Sequence, residues 1–125
     1  MNVTGPLRTL IAADITANAL LAGRVYAGVL MQQTEYPAAA INIVDDTPHN
    51  TKPAASDLDR VLVQVDVYGN TYASAAAVSA AIRAAIDYQT SGDLAHIEFK
   101  RSIDMYSDVA EKYRKVSEYS IMIKL

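Results

Sequence analysis

The chain contains no cysteine and no tryptophan, and only one of its 125 residues is phenylalanine. The absence of cysteine excludes a disulfide framework, a thiolate metal site and a cysteine nucleophile. A basic surplus is also missing: the formal net charge is −3 at pH 7, whereas a dedicated nucleic-acid-binding protein usually carries excess positive charge on one face. Hydrophobic residues make up 51% and charged residues 20% of the chain, so the composition is that of a globular domain with a sizeable core.

The sequence also lacks the common catalytic motifs. It has no glycine-rich phosphate loop (G-x-G-x-x-G or G-x-x-x-x-G-K-[ST]), no H-E-x-x-H zinc motif and no nucleophile elbow. The two histidines, His49 and His96, have no second ligand at metal-binding spacing. Four aspartates could together bind a hard cation, although their irregular spacing favours a solvated rim: Asp45, Asp46, Asp57 and Asp59. We therefore predict no catalytic residue, no metal and no cofactor.

The first apolar stretch, Leu7 to Gly23, predicts a helix. Polar residues interrupt it and it is too short for a membrane span, so its pattern favours neither a transmembrane segment nor a signal peptide. Thr4 is the predicted N-cap, with Pro6 in the first turn, and Gly23 is the predicted stop. The apolar stripes before and after Asp14 differ in phase, which predicts a kink or a second short helix there.

Beyond Gly23 the pattern changes from helical to alternating. The clearest strand has valine at every second position, and Gly28 within the first strand suggests a bulge or a close backbone contact. The predicted strands are Arg24–Met31, Ala39–Ile43, Val61–Tyr68, Ala95–Tyr106 and Tyr113–Leu125. We predict one α+β domain over residues 1–125, in which an N-terminal helix and an Ala-rich helix pack on a mainly antiparallel or mixed sheet of four to five strands.

The segment from Asp45 to Leu58 has the position of a hairpin loop but exceeds its usual length. It is polar and contains two prolines, and loops this long are usually functional or disordered. We expect an arm that is mobile in the free monomer and becomes ordered on a neighbouring subunit. The candidate contact residues in this arm are Asp46, Thr47, His49 and Lys52.

The Ala-rich helix is predicted to run from Tyr72 to Tyr88 with Thr71 as its N-cap. A stripe of Val78, Ile82 and Ile86 should face the sheet. The other side carries small residues and few charges: Ala73, Ala76, Ala77, Ala80, Arg83 and Ala84. Two interpretations stay open, because alanine is the best helix former on any surface, and because small side chains also allow a second subunit to approach closely.

Tyrosine is the common aromatic residue, with eight copies. Five of them are predicted near the ends of elements, where they could contact a partner: Tyr36, Tyr68, Tyr72, Tyr106 and Tyr113. A basic cluster of Lys112, Arg114 and Lys115 is predicted to be a solvated hairpin tip, with a phosphate-contacting patch as the alternative.

Several of these segments together resemble the tail-completion, or tail-terminator, proteins of long-tailed bacteriophages. They are the Gly23–Tyr26 strand start, the Tyr36-Pro37 turn, the Val61–Tyr68 strand with the Gly69-Asn70 break after it, and the Ala81–Ile86 end of the Ala-rich helix. The resemblance implies a small α+β subunit that assembles as a hexameric ring on the end of the tail tube. Such a ring ends tube polymerisation and offers a surface to the head-side connector.

The same resemblance implies the remaining properties. The partners would be other copies of the chain, the tail-tube protein and the connector, while DNA passes through the ring without sequence-specific binding. The protein would be made in the bacterial cytoplasm, reside in the virion at the head-proximal end of the tail, and perform no catalysis. One alternative is a head–tail joining or minor tail protein. Another is an enzyme or small-ligand-binding domain, which would need a pocket that contains His96 or the loop aspartates.

Overall fold

The computed structural model describes the backbone of residues 3–29, 34–50, 55–107 and 111–124, and the side chains of all of these except 46–50, 55–58 and 107. Within these ranges three helices and five strands follow one another. They are α1 (Thr4–Ala13), α2 (Ile15–Leu21), β1 (Val25–Ala27), β2 (Ala38–Asn50), β3 (Ala55–Gly69), α3 (Tyr72–Ile86), β4 (Leu94–Ser107) and β5 (Lys112–Lys124).

The strands form one mixed sheet in the order β1-β2-β3-β5-β4. β1 runs parallel to β2, and the other three pairs are antiparallel. The α+β class, the mixed sheet of five strands and the small single domain are therefore confirmed. β3 lies at the centre and β4 at one edge.

The core lies between one face of this sheet and the helices. Val61, Val63, Val65 and Val67 of β3 each have 0% of their surface exposed, which confirms the predicted alternation. Helix α3 packs on this face and buries Val78, Ile82 and Ile86 against it, as the apolar stripe predicted. Burial of this kind contributes roughly 25 cal/mol for each Å² of apolar surface that leaves water.

The N-terminal helical region divides in two at Asp14, as the change of phase predicted. The Asp14 carboxylate caps α2 by accepting a hydrogen bond from the backbone N–H of Ala17 at 2.9 Å. Thr4 as the N-cap is wrong, because Val3 occupies that position and packs in the core, so that the helix is already under way at Thr4. Ala22 and Gly23 both have a positive φ directly after α2, which ends the helix at the predicted stop.

β1 is shorter than the predicted Arg24–Met31 strand. It ends at Ala27, and Gly28 follows with φ of 83°, a left-handed conformation that does not continue a strand. The Gly28 N–H donates to the carbonyl of Ile41, which is the close backbone contact that the glycine suggested. Residues 30 and 31 lie outside the described residues.

The predicted loop from Asp45 to Leu58 is wrong for most of its length. β2 continues to Asn50 and β3 begins at Ala55, with pairs such as Thr47↔Arg60 along a β-ribbon. The register shifts at Val44, where β2 has one more residue than β3, and again between His49 and Asn50. The prediction fails because the hydrogen bonds between β2 and β3 join backbone groups and do not depend on apolar side chains. A polar segment can therefore continue the strand pairing. Lys52 lies outside the described residues.

The C-terminal hairpin agrees with its prediction. β4 and β5 pair along their length, with register shifts between Leu94 and His96 and between Phe99 and Arg101. Because of the second shift, Phe99 packs against the core while Arg101, two positions later, pairs with Glu118 on the opposite face of the sheet. The turn at 108–110 and residue 125 lie outside the described residues.

Ile82→Ala should lower the free energy of unfolding by about 2–5 kcal/mol, because it removes most of a buried side chain that packs between α3 and the sheet and leaves a cavity. Ile15→Ala is the matched control, since Ile15 is 88% exposed, and it should change stability by less than about 0.5 kcal/mol. Urea denaturation of the two variants measures this difference. Equal losses in both would show that the assigned orientation of α3 is incorrect.

Candidate subunit interface beside helix α3

Helix α3 is capped at its start and is fixed on the sheet at its middle and at its end. The Thr71 hydroxyl accepts a hydrogen bond from the Ser74 N–H at 3.1 Å and caps the first turn, as predicted. The Ser79 and Ser117 hydroxyls lie 3.1 Å apart in a buried hydrogen bond between α3 and β5. The Asp87 carboxylate, directly after α3, accepts a hydrogen bond from the Phe99 N–H of β4 at 3.0 Å. These contacts set the rotation of the helix about its axis.

A groove of about 550 Å³ runs between α3 and the β4 side of the sheet. Its helix wall consists of Ala76, Ser79, Ala80, Arg83, Ala84 and Asp87, and its sheet side consists of Phe99, Ser102 and Lys115. We call it the α3–β4 groove. Four of the predicted contact residues therefore line one concave surface, whereas Ala73 and Ala77 are exposed on the same helix outside that lining.

A cation stands on either side of the small alanine side chains. The guanidinium of Arg83 stacks 3.8 Å from the centre of the Phe99 ring, and its Nε lies 3.5 Å from an Asp87 oxygen. Lys115 donates from Nζ to an Asp104 oxygen at 3.0 Å. That hydrogen bond, with a second from the Tyr72 hydroxyl, lowers the pKa of the Asp104 carboxyl. The groove thus offers an apolar floor and two cations, each of which is already paired with a carboxylate.

Tyr119 lies beneath the Phe99 side of this region. Its ring meets the Phe99 ring edge-on at 5.5 Å between centroids, and the residue is only 1% exposed. Burial raises the pKa of the Tyr119 hydroxyl well above its usual value. Among the described residues its oxygen has no hydrogen-bond partner. The phenol therefore contributes packing and stays neutral at physiological pH.

The tyrosines predicted at element ends lie at one end of the sheet. The Tyr72 and Tyr113 rings are 6.3 Å apart and the Tyr106 and Tyr113 rings 4.9 Å apart, both edge-to-face. A cation lies over each of three rings: Lys112 over Tyr36, Arg114 over Tyr68 and Lys115 over Tyr72. This arrangement follows from the topology, because β3 ends, α3 begins, β4 ends and β5 begins at the same end of the sheet.

The basic cluster of the β5 start is divided between the two faces of the sheet. Lys115 points toward α3, whereas Arg114 donates to Asp66 on the opposite face, with Nη2 3.0 Å from Oδ2. Asp66 is 4% exposed and also accepts a hydrogen bond from Gln64 at 2.9 Å. Strand alternation therefore argues against a single phosphate-contacting patch.

The remaining polar candidates form no catalytic arrangement in the part of the chain that the structure describes. His96 is half-exposed, with Nε2 3.9 Å from a Glu98 oxygen, as expected for a solvated strand face. Residues 3–29, 34–50, 55–107 and 111–124 contain no group of three or more side chains placed to hold a metal ion. A second cavity of about 330 Å³ between α1, α2 and β1 has Arg8 as its one charged lining residue. None of the described helices is long and apolar enough to cross a membrane.

The second set of predicted contact residues lies far from the groove in the sheet order. Asp46, Thr47 and His49 belong to β2, and β3 and β5 separate β2 from β4. One copy of the chain therefore does not bring the arm to the α3–β4 groove. A contact between the two sets requires two copies.

The chain is similar to known proteins in sequence pattern and in fold. A family model described as "Tail completion protein gp17" matches residues 5–124, so the chain belongs to this family of phage tail proteins. A solved chain titled "Virion of native gene transfer agent (GTA) particle" superposes with a TM-score of 0.78 at 18% sequence identity, and covers 98% of this chain and 95% of that chain. At that identity the superposition shows a shared fold. No curated protein sequence matches.

Above about pH 10 the free energy of unfolding should fall. The pKa of Tyr119 is raised in the folded state, so the unfolded chain ionises first. The stability is fully present below the usual tyrosine pKa of about 10 and is lost progressively as the pH rises from there toward the raised pKa of the folded state. Tyr119→Phe should weaken this alkaline loss, whereas Tyr88→Phe, on an exposed ring, should leave it unchanged. Urea denaturation between pH 8 and about 11 measures the slopes. Identical slopes in all three proteins would contradict the assignment.

Proposed function

We propose that this tail completion protein closes into a ring on the head-proximal end of the tail tube and thereby ends tube growth. The family shows a structural component of a phage-like virion, and the ring is the assembly that best uses its surfaces. The resemblance to tail terminators suggests a ring of six copies. The ring would present one surface to the tube and the other to the head-side connector, and DNA would pass through its centre.

The observation that carries this proposal is the row of alanines in the helix wall of the α3–β4 groove, where Arg83 is already paired with Asp87. Ala76, Ala80 and Ala84 lie one turn apart, beside a strand edge. A helix face that only meets water usually carries charged residues in such positions. Small side chains instead let another backbone approach closely, so this surface suits a subunit contact.

Head-to-tail contacts produce a closed ring when two different patches of one subunit meet on successive copies. The α3–β4 groove lies on the β4 side of the sheet, and the exposed part of β2 lies on the other side. The geometry of these two patches therefore fits cyclic symmetry better than a two-fold dimer, in which one patch must meet itself. No catalytic step enters this proposal.

Ala80→Arg should leave the monomer folded and prevent ring formation. The position is exposed in the monomer, and arginine is a good helix former, so the free energy of unfolding should change by less than about 0.5 kcal/mol. In the ring the same side chain would place a large charge in a contact that needs small residues. Ala80→Ser is the matched control, because it keeps the small volume and should assemble.

Thermal unfolding and sedimentation velocity, with and without tail tubes, measure the two outcomes for Ala80→Arg. A variant that folds and assembles normally would show that the groove faces solvent in the virion. A variant that unfolds would show that Ala80 belongs to the core.

Particles that lack this chain should have tails of irregular and excessive length, because nothing ends tube polymerisation. Electron microscopy of such particles measures the length distribution, and addition of the purified protein should stop further growth of isolated tubes. Tails of normal length that fail to join heads would instead identify a head–tail joining protein.

A further inference from the structure

The outer edge of β4 is covered at one half and open at the other. Next to α3's end, the Ile97 carbonyl accepts a hydrogen bond from the Tyr88 N–H at 2.7 Å, and the Phe99 N–H donates to Asp87. The segment after α3 thus occupies the edge as far as Phe99. From Lys100 to Ser107 no described residue makes a backbone hydrogen bond to this edge.

The open half presents a regular row of backbone groups. Ile97 and Phe99 stand opposite Ile121 and Tyr119 of β5, and they direct their backbone groups outward. Paired positions alternate along an antiparallel ladder, so the residues opposite Ser117, Lys115 and Tyr113 do the same. Those residues are Ser102, Asp104 and Tyr106.

The same three positions lie on the α3 side of the sheet, beside the groove. Ser102 lines the α3–β4 groove itself, and the Asp104 side chain contacts Lys115 and Tyr72. An extended segment that paired with this edge would therefore place its alternate side chains on the α3 side of the sheet. Those side chains would enter the groove between Ser102 and the alanines of α3. A free strand edge beside a helix-walled groove is the geometry in which proteins add a strand from a partner.

We propose that the occupant is the outer edge of β2, around Ile43 and Val44, from the next copy of this chain. This inference rests on the proposed ring and names the contact that closes it. Within the described part of the chain, β1 pairs with β2 from Ala39 to Ile41. Beyond that point Ile43 and Val44 are 48% and 51% exposed, a high value for two consecutive apolar residues in a strand. The groove supplies the apolar floor that these side chains lack.

Strand direction favours the same occupant. β2 and β4 run in opposite directions in the sheet. A rotation about an axis along the strands therefore brings them together as an antiparallel pair, and the ring becomes one continuous sheet without an exposed β4 edge.

Ser102→Pro is the variant that tests the backbone contact. Proline removes the outward N–H of residue 102 and leaves the pairing with β5 intact, so the monomer should fold and ring association should weaken by at least about tenfold. Ser102→Ala is the matched control, because it keeps the N–H and should assemble as the wild-type chain does. Sedimentation velocity at several concentrations, with tail tubes added in a second series, measures both.

Amide hydrogen exchange on the wild-type chain provides a test that does not depend on the folding of a proline variant. The amides of Ser102, Asp104 and Tyr106 should exchange at least about tenfold more slowly in the ring than in the monomeric Ala80→Arg protein. A ring in which these amides exchange as fast as in the monomer overturns the strand contact but leaves the proposed ring standing.

A mixture of two variants tests the identity of the occupant. Ile43→Lys alters the β2 side of the contact, and Ser102→Pro alters the β4 side, so each variant alone should stay monomeric at the lowest concentration at which the wild-type chain forms rings. In an equimolar mixture, the intact β4 edge of the Ile43→Lys chain can still pair with the intact β2 edge of the Ser102→Pro chain. The mixture should therefore form dimers of one copy of each variant, and these dimers should not grow further. A mixture that stays monomeric, or an Ile43→Lys protein that forms rings, overturns β2 as the occupant. A wild-type chain that stays monomeric even on tube ends overturns the proposed function and this contact together.

Discussion

The width of a helix relative to the spacing of strands determines which surfaces of this protein are available. A helix with its side chains is about 10 Å wide and neighbouring strands lie about 4.8 Å apart, so one helix covers about two strands. α3 packs on β3 and β5 through Val78, Ile82 and Ile86. Strand β4 is the next strand outward, and α3 leaves part of the face of this strand uncovered. The groove, the open strand edge and the exposed alanines all follow from this placement.

The sheet also explains why the chain can fold before it assembles. Its centre is complete in one copy, because β3 has a partner on each side and its valines are fully buried. The surfaces proposed for assembly lie at the two edges, where the monomer loses little by leaving them open. An open edge is usually an aggregation hazard. Here the register shift before Arg101 and the charges of Lys100 and Arg101 limit indiscriminate pairing, while the groove allows a strand of suitable shape.

Local patterns in the sequence predicted those parts of the fold that depend on local physics. The valine alternation of β3, the apolar stripe of α3, its Thr71 cap and the division at Asp14 each follow from side-chain period or capping chemistry. For the outer part of the ribbon that β2 and β3 form, the sequence pattern instead predicts a loop. Its strands continue because distant backbone groups pair, and polar side chains give no sign of that pairing.

The candidate site shows the same division. Ala76, Ala80, Arg83 and Ala84 were predicted from one helix, because their spacing places them on one face. Their neighbours Ser102 and Lys115 carry no such signal, since the sheet register brings them to the groove. The convergence of the tyrosines at one end likewise depends on topology, although their positions near element ends were visible in the sequence.

A cryo-electron microscopy map of the head-proximal end of the assembled tail would test the central claim most directly. The account predicts a ring in which the β4 edge of each copy, from Lys100 to Ser107, pairs with β2 of the next copy, and in which the α3–β4 groove is filled. A ring that leaves this groove open to solvent, with subunits joined through other surfaces, would contradict it.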